Sequence, residues 1–477
     1  MQRKSVAGVL LTMALAMGLT AGCGLSGKEN AGGDEESTPA DGDDDVAERE
    51  VSEVFWPVAP SSWIADAARE PLRVHLTYEF DPATSITIQW QTDNVEVEGY
   101  TPKVWFAPVS EARGEGDNLE LPFATQYTEE GRGFNYEETI TLLAKEGFHA
   151  ADDEKFVQFE VAVRGLEPDT EYYYRAGAWK DFDSETRQFT EATLSPIYKI
   201  KTGLPKGSTK KFSFMLCGDS RGGRALEGIR ANVGRLDGMD AAFWLFNGDF
   251  NSTGKQEEWY NWFDAMAPVL NDTPFMPVQG NHEMFANVFY DQFALPKAPD
   301  LEDRWKENAY SFDYGNVHFI GLNSNTESVA AELKDWLDND LARAKQDPEI
   351  AWTVAMFHFP AYSASTKHGS TTWVQKLYVP VFEKHGLDLA YSGHDHDYER
   401  TYPIKANAKV TDGQGVVYVV AGGFYSDGYS NGNDWFTAKS AHGDASNYVM
   451  VEVEGDTLKG TAYFGDGSVI ENWTLTK

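Results

Sequence analysis

Cysteine is almost absent from this 477-residue chain, which holds only Cys23 and Cys217. That scarcity excludes a disulfide scaffold and any cysteine-rich zinc site. Basic charge is also short: Lys and Arg number 40 against 75 Asp and Glu, a formal net charge of −35. Such a balance argues against an electrostatic nucleic-acid binder, because phosphate backbones need Lys and Arg to neutralise them. Long apolar runs are missing beyond the N-terminus, so no later segment reads as transmembrane. Core-forming residues are plentiful, with 42% hydrophobic and 13% aromatic. A wholly disordered protein is therefore excluded. At about 100–200 residues per domain, the length predicts two to four domains.

The N-terminus carries a targeting pattern. Arg3 and Lys4 precede a short apolar run, Val6 to Leu19, which suits a signal-peptide core better than a membrane span. It ends in Leu19-Thr20-Ala21-Gly22-Cys23. That ending resembles a bacterial lipoprotein signal, cleaved before a cysteine that then carries lipid. Thr20 departs from the larger aliphatic residue usual there, and the alternative is an ordinary secretory signal. Residues 1–23 are thus expected to be a lipoprotein-type signal, with a lipid anchor at Cys23. The body would sit outside the cytoplasm, at the periplasmic face or the cell surface. Residues 24–53 follow as a linker. From Lys28 to Glu53, eleven acidic residues stand against two basic ones. Such a stretch buries too little apolar surface to offset its ordering entropy. Cys217 is left as the one non-lipidated thiol, so no intrachain disulfide is expected.

Residues 70–202 read as a β-sandwich. Arg73 to Tyr78, Ser85 to Thr92 and Val157 to Val163 alternate with period two, the mark of strands with one buried face. A turn cluster, Gly165 to Thr170, then leads into Glu171 to Arg175. Short strands at this spacing suggest a sandwich, and Leu166-x-Pro168-x-Thr170-x-Tyr172 resembles a fibronectin type III-like domain. The polar stretch from Gly114 to Asp153 is expected to be insertions between strands. No catalytic cluster is visible in this module.

From residue 210 to 477 strands alternate with helices, as in an α/β domain. Phe212 to Cys217 leads to Gly218-Asp219-Ser220. Ala241 to Phe246 leads to Asn247-Gly248-Asp249. Phe275 to Val278 leads to Gly280-Asn281-His282-Glu283. Trp352 to Phe357 leads to His358, and Leu387 to Tyr391 leads to Gly393-His394-Asp395-His396. Helices are predicted over Ala225–Leu236 and Gln256–Leu270. In an open α/β sheet the carboxyl ends of the strands form the ligand crevice, so these groups should converge on one edge. Carboxylates, an amide oxygen and neutral imidazoles suit hard to borderline divalent ions. A carboxylate between two such ions gives the arrangement used in phosphate-ester hydrolysis.

Taken in order, these turns resemble the calcineurin-like metallophosphoesterase superfamily, and within it the purple acid phosphatases. The run Gly393 to Arg400 is close to that family's last motif, and Tyr310 to Ile320 also resembles it. The resemblance spans roughly Pro71 to Lys477. It implies an α+β two-domain chain: an N-terminal β-sandwich, then a metallophosphoesterase α/β domain of four-layer αββα type. It implies two divalent metal ions, Zn, Mn or Fe. Carried over by position, Asp249 would bridge them, Asp219 and His396 would serve the first, and Asn281, His358 and His394 the second. His282 would bind phosphate or protonate the leaving group. His368 would be a phosphate contact or general acid, beside Lys367. The implied substrate is a small phosphate ester, most simply a monoester.

Two positions depart from the family. Ser252 stands where purple acid phosphatases place a metal-binding tyrosine. Arg221 stands where other relatives place a histidine, and it is either a phosphate contact or a surface or supporting arginine. The alternative function is a non-catalytic surface-binding lipoprotein on a degenerate metal scaffold. Other residues read as structural. Cys217, His75 and His318 fit strand interiors, and Trp259, Tyr260, Trp262 and Phe263 fit a helix core. The glycine-rich stretch from Gly422 to Gly432 reads as a flexible loop, either a surface turn, which is favoured, or a part of the pocket rim.

Overall fold

The computed structural model describes residues 56–57, 71–92, 101–114, 119–121, 132–136, 156–183, 188–222, 224–283, 287–441 and 446–477. The leader, Cys23, the acidic linker and most of the Gly114–Asp153 stretch lie outside the described residues.

Among the described residues, two antiparallel four-stranded sheets make most of the N-terminal part, beside a short pairing of Trp56–Pro57 with Glu120–Leu121. One orders Leu72–Thr77, Ser85–Thr92, Phe156–Arg164 and Arg132–Tyr136. The other orders Tyr198–Lys201, Glu171–Asp183 and Thr101–Pro108, with Gln188–Leu194 also paired to Glu171–Asp183. Ile86, Ile88 and Trp90 face the same core as Val157, Phe159, Val161 and Val163. The alternate residues of Ser85–Thr92 are expected to meet solvent, yet the whole strand is buried. Its polar face is instead covered by the second part of the chain. Gln91 Nε2 donates to Gln292 Oε1 (2.6 Å), and Gln89 Oε1 accepts from the Ala294 amide (2.7 Å). Alternation therefore reports the pleat correctly but not what lies on the polar side.

The C-terminal part is built on two mixed sheets. The first has six strands in the order Phe275–Pro277, Trp244–Phe246, Phe212–Cys217, Asn447–Glu454, Thr457–Phe464, Val469–Thr476. Its first three are parallel. The second has seven, in the order Ala309–Tyr314, Val317–Leu322, Trp352–Phe357, Leu389–Ser392, Val417–Ala421, Tyr398–Thr401, Thr437–Ala441. Four of these, from Val317–Leu322 to Val417–Ala421, are mutually parallel.

Successive side chains of Trp352–Phe357 enter different cores, as the pleat requires. Val354 and Met356 join Phe214, Phe243 and Phe319 between the sheets. Phe214 meets Phe319 edge-on at 5.0 Å. Ala355 and Phe357 face outward onto Leu333, Leu337 and Leu341 of the helix Glu327–Gln346. On the far side of the first sheet, Trp262 of the helix Gln256–Leu270 packs on Phe246 and Phe275. The helix predicted over Ala225–Leu236 is observed as Arg224–Asp237. The layers are helix, sheet, sheet, helix.

Candidate metal centre

Five of the parallel strands, Phe212–Cys217, Trp244–Phe246, Phe275–Pro277, Trp352–Phe357 and Leu389–Ser392, end at the same edge of the sheet pair in a turn bearing a candidate ligand. Three of these residues have left-handed backbone: Asp219 (φ 56°), Asp249 (φ 54°) and His394 (φ 67°). Non-glycine residues rarely adopt this region, and such strain collects at functional sites. Crowding is severe. A Cβ on Gly280 would collide with Asp249, and one on Gly393 would collide with Asp219 and Asn247. Only glycine lets these turns nest so closely.

The carboxylates are fully buried and lie among imidazoles. His358 Nε2 lies 3.4 Å from Asp249 Oδ1 and 2.9 Å from Asn281 Oδ1. His282 Nε2 lies 3.7 Å from Asp249 Oδ2, and its backbone N–H donates to Asp249 Oδ1 (2.9 Å). His396 Nε2 lies 3.6 Å from Asp219 Oδ1, and the His394 N–H donates to both Asp219 oxygens (3.0 Å each). Asp249, His358 and His394 hold their donor atoms within 4.8 Å of one another.

Backbone carbonyls fix the rings. His358 Nδ1 donates to Asn247 O (2.8 Å), His396 Nδ1 to Asp427 O (2.9 Å) and His282 Nδ1 to Ser252 O (2.6 Å). Spending Nδ1 in this way aims Nε2 inward, the usual device for orienting ligand histidines. His396 Nε2 is buried and has no hydrogen-bond partner. Burial holds the His396 pKa down at about 3, and burial with the nearby His358 charge holds His394 at about 2. Both rings are therefore neutral, with lone pairs free to bind a cation.

The remaining charges show what the pocket wants. Burial opposes a charge on His358, but Asp249 and Asp219 outweigh it and raise its pKa to about 9. Burial pushes the Asp219 carboxyl up, while His358 and His282 overcome burial and hold Asp249 below the usual range. A proton on His358 thus supplies part of the positive charge that a cation would bring, and cation binding would displace it. The donor set fits divalent ions. Asp249, Asn281, His358 and His394 could hold one ion, and Asp219, Asp249 and His396 another.

All the sequence-derived candidates come together here. His368 is exposed, with its ring 4.2 Å from that of His394. Arg221 is half-buried, and its Nη1 donates to Tyr429 Oη (3.3 Å). Ser252 turns its hydroxyl onto the Arg221 carbonyl, so its side chain is engaged away from the carboxylates. Sequence reasoning missed three contributors. Glu283 is buried and accepts from the amides of Asp249 (2.8 Å), Phe250 (2.7 Å) and Gly280 (3.0 Å), tying two ligand turns together. Its acidic side chain beside Asn281 and His282 was the available signal. Asn247 supplies the carbonyl behind His358. The Gly422–Gly432 stretch is not the surface turn favoured from sequence but lies against the site, as the pocket-rim alternative has it. Phe424, Tyr425 and Ser426 are buried, the Asp427 carbonyl holds His396, and the Tyr429 ring stacks on His396 at 4.1 Å. Nothing in the composition of that loop distinguishes it from a solvated turn.

Residues 212–398 match the calcineurin-like phosphoesterase family, and residues 71–191 match the purple acid phosphatase N-terminal domain. A Mycobacterium tuberculosis protein is 27% identical over 51% of this chain and 50% of its own length. Purple acid phosphatase 18 of Arabidopsis thaliana is 27% identical over 54% of this chain and 55% of its own. Acid phosphatase type 7 of Mus musculus is 25% identical over 74% and 77%. The chain spans about half the length of the first two relatives. The purple acid phosphatase PPD1 of yellow lupin shares the fold, with a TM-score of 0.68 at 18% identity, covering 86% of this chain and 74% of that one.

Proposed function

The chain joins a purple acid phosphatase N-terminal domain to a calcineurin-like phosphoesterase domain, and from that premise we propose that it hydrolyses small phosphate monoesters with two divalent ions. The observation that carries the reading is the buried, unpartnered Nε2 of His396, held toward Asp219 beside the Asp249–His358–His394 cluster. When bound, the ions supply charge neutralisation of the phosphate oxygens and acidify a water for attack on phosphorus.

The chain's own residues supply the rest. Asp249 and Asp219 give anionic donors, and His358, His394 and His396 give oriented neutral ones. His282 has Nδ1 committed as donor to the Ser252 carbonyl, so its Nε2 faces the reaction space and passes a proton to the leaving oxygen from the doubly protonated imidazolium form, leaving the neutral ring with its proton on Nδ1. His368, on the exposed rim, is the second candidate for that proton. Arg221 adds fixed positive charge from the turn after Asp219. The test is metal analysis with turnover of p-nitrophenyl phosphate by purified chain loaded with Zn²⁺, Mn²⁺ or Fe²⁺. About two ions per chain and metal-dependent turnover are expected. Full loading without turnover of any phosphate ester would favour a binding protein instead.

We propose separately, from the sequence, that the protein lies outside the cytoplasm on a lipid at Cys23. Support comes from the small residues before Cys23 and the acidic spacer after it. A lipidated N-terminal cysteine carrying more than one acyl chain anchors stably. The Cys23→Ala variant should then leave the membrane fraction of the native host, and identical fractionation of both forms would remove the anchor from the proposal.

A further inference from the structure

In a chain where acids outnumber bases 75 to 40, a cation near other residues normally finds a carboxylate. Neither Arg221 nor Lys367 makes a contact ion pair among the described residues, although the Arg221 charge reaches the buried Asp219 and Asp249. Both converge on Tyr429. Arg221 Nη1 donates to its hydroxyl (3.3 Å), and Lys367 Nζ sits 4.0 Å from its ring centroid. The imidazole of His396 lies parallel to the same ring at 4.1 Å, 9° from coplanar. The imidazole fills one face, so Lys367 must occupy the other. Lys367 therefore lies a ring's thickness outside the layer of candidate metal ligands. The loop carrying Lys367 is fixed to the loop carrying Tyr429. Ser365 bridges Asn431, the Thr366 amide donates to Ser430 O (2.9 Å), and the Gly432 amide donates to Ala364 O (2.9 Å). A second tie runs inward, where the Gly369 amide and the Ser363 hydroxyl both donate to Asp395 Oδ2 (3.1 and 2.7 Å).

We propose that Lys367 and Arg221, held around Tyr429, form an anion subsite for a second negative group on the leaving portion of the substrate. This rests on the phosphoesterase reading above and adds a substrate class to it: phosphate esters whose leaving group carries a carboxylate or a further phosphate. The scissile phosphate has its own partners in the layer beneath. Arg221, half-buried in the turn after Asp219, can serve both the scissile phosphate and the second group, while the exposed Lys367 exceeds what the scissile phosphate needs; together they overcome locally the repulsion that a net charge of −35 exerts on anions. Tyr429 is a positioning residue, whose π face and hydroxyl hold both cations without neutralising either.

The test compares phenyl phosphate with 4-carboxyphenyl phosphate and 1,4-phenylene bisphosphate on the metal-loaded full chain. Wild type should favour the doubly anionic substrates in kcat/KM, the preference residing in KM and shrinking as salt rises. Lys367→Ala should reduce that preference about five- to tenfold, and Lys367→Arg should keep it. The two doubly anionic arms distinguish a carboxylate from a phosphate as the second group. Because each preference is a ratio on one preparation, partial loss of folded protein does not alter it. A wild-type enzyme with no preference, or a preference that survives Lys367→Ala, overturns the subsite while leaving the phosphoesterase reading intact. Absence of turnover for all three overturns that reading instead, and the same ratios measured as Kd by calorimetry then decide the subsite separately.

Discussion

Asp249 concentrates several demands in one side chain. It is fully buried, sits at φ 54°, accepts from the His282 amide and lies within reach of two imidazoles. Asp and Asn are the non-glycine residues that best tolerate left-handed backbone, because their short polar side chains bond locally. Asp249→Asn should therefore fold and keep the turn while losing a shared anionic donor. We expect it to bind at least one ion fewer and to lose activity by more than about a hundredfold; wild-type metal content with wild-type turnover would remove Asp249 from the bridging position. Ser252 leads to a second expectation at this scale. The family's purple colour arises from tyrosinate on ferric iron, and here the Ser252 hydroxyl is bonded to the Arg221 carbonyl. Tyr398 is committed to Glu471 (2.8 Å) and Tyr425 to Arg235 (2.9 Å). Iron-loaded protein should thus lack a strong visible charge-transfer band. A band that vanishes in Tyr429→Phe would mean that this phenol swings onto the metal. The candidate ligands were legible because each is a chemistry-bearing residue in a strand-end turn. Tyr429 was not, because its role comes from contacts between distant loops.

At the level of elements, local pattern predicted most strands and helices, and its errors have physical causes. The strand predicted from Ala241 starts only at Trp244, because it pairs with just three residues on each neighbour. The hairpin Ala309–Tyr314 and Val317–Leu322 is bound to the helix Glu327–Gln346 by one buried imidazole. His318 Nδ1 faces Asp313 (2.6 Å) and Nε2 faces Asp340 (2.8 Å). Burial works against its charge, but the two carboxylates raise its pKa from 6.5 to about 9. A histidine with a raised folded-state pKa contributes stability that is complete below its unfolded value and is lost as pH rises through the folded one. Wild-type melting temperature should therefore fall between about pH 6.5 and pH 9 more steeply than that of His318→Gln. Parallel profiles for the two proteins across this window would show that the clamp carries no net stability. The sequence identified His318 as structural from its place in a strand, but not its two acidic partners, which come from the hairpin's other strand and from the helix.

For the whole molecule, the decisive feature is how the sandwich meets the part that carries the candidate metal centre. The described residues form one compact unit, and the seam between the two parts is polar and buried. His75 presents Nδ1 to Arg73 O at 2.7 Å and Nε2 to Gln292 O at 2.5 Å, with its ring 4.7 Å from Phe263. Gln91 meets the Gln292 side chain, and Gln89 meets the Ala294 amide. Gln292 ends the helix Asn287–Gln292, which follows the turn holding Asn281, His282 and Glu283. Separating the parts would leave these groups without partners unless water replaced each bond, while exposing apolar surface shared by both cores. Period-two patterning could not reveal this, since a polar strand face reads the same against water as against another domain. The two parts should therefore unfold together. Calorimetry of the metal-free chain should give one transition, and Gln292→Ala should lower its stability by about 1–3 kcal/mol without splitting it. Two resolved transitions in the wild type would mean that the sandwich folds independently and that the seam is a weak contact rather than part of a common core.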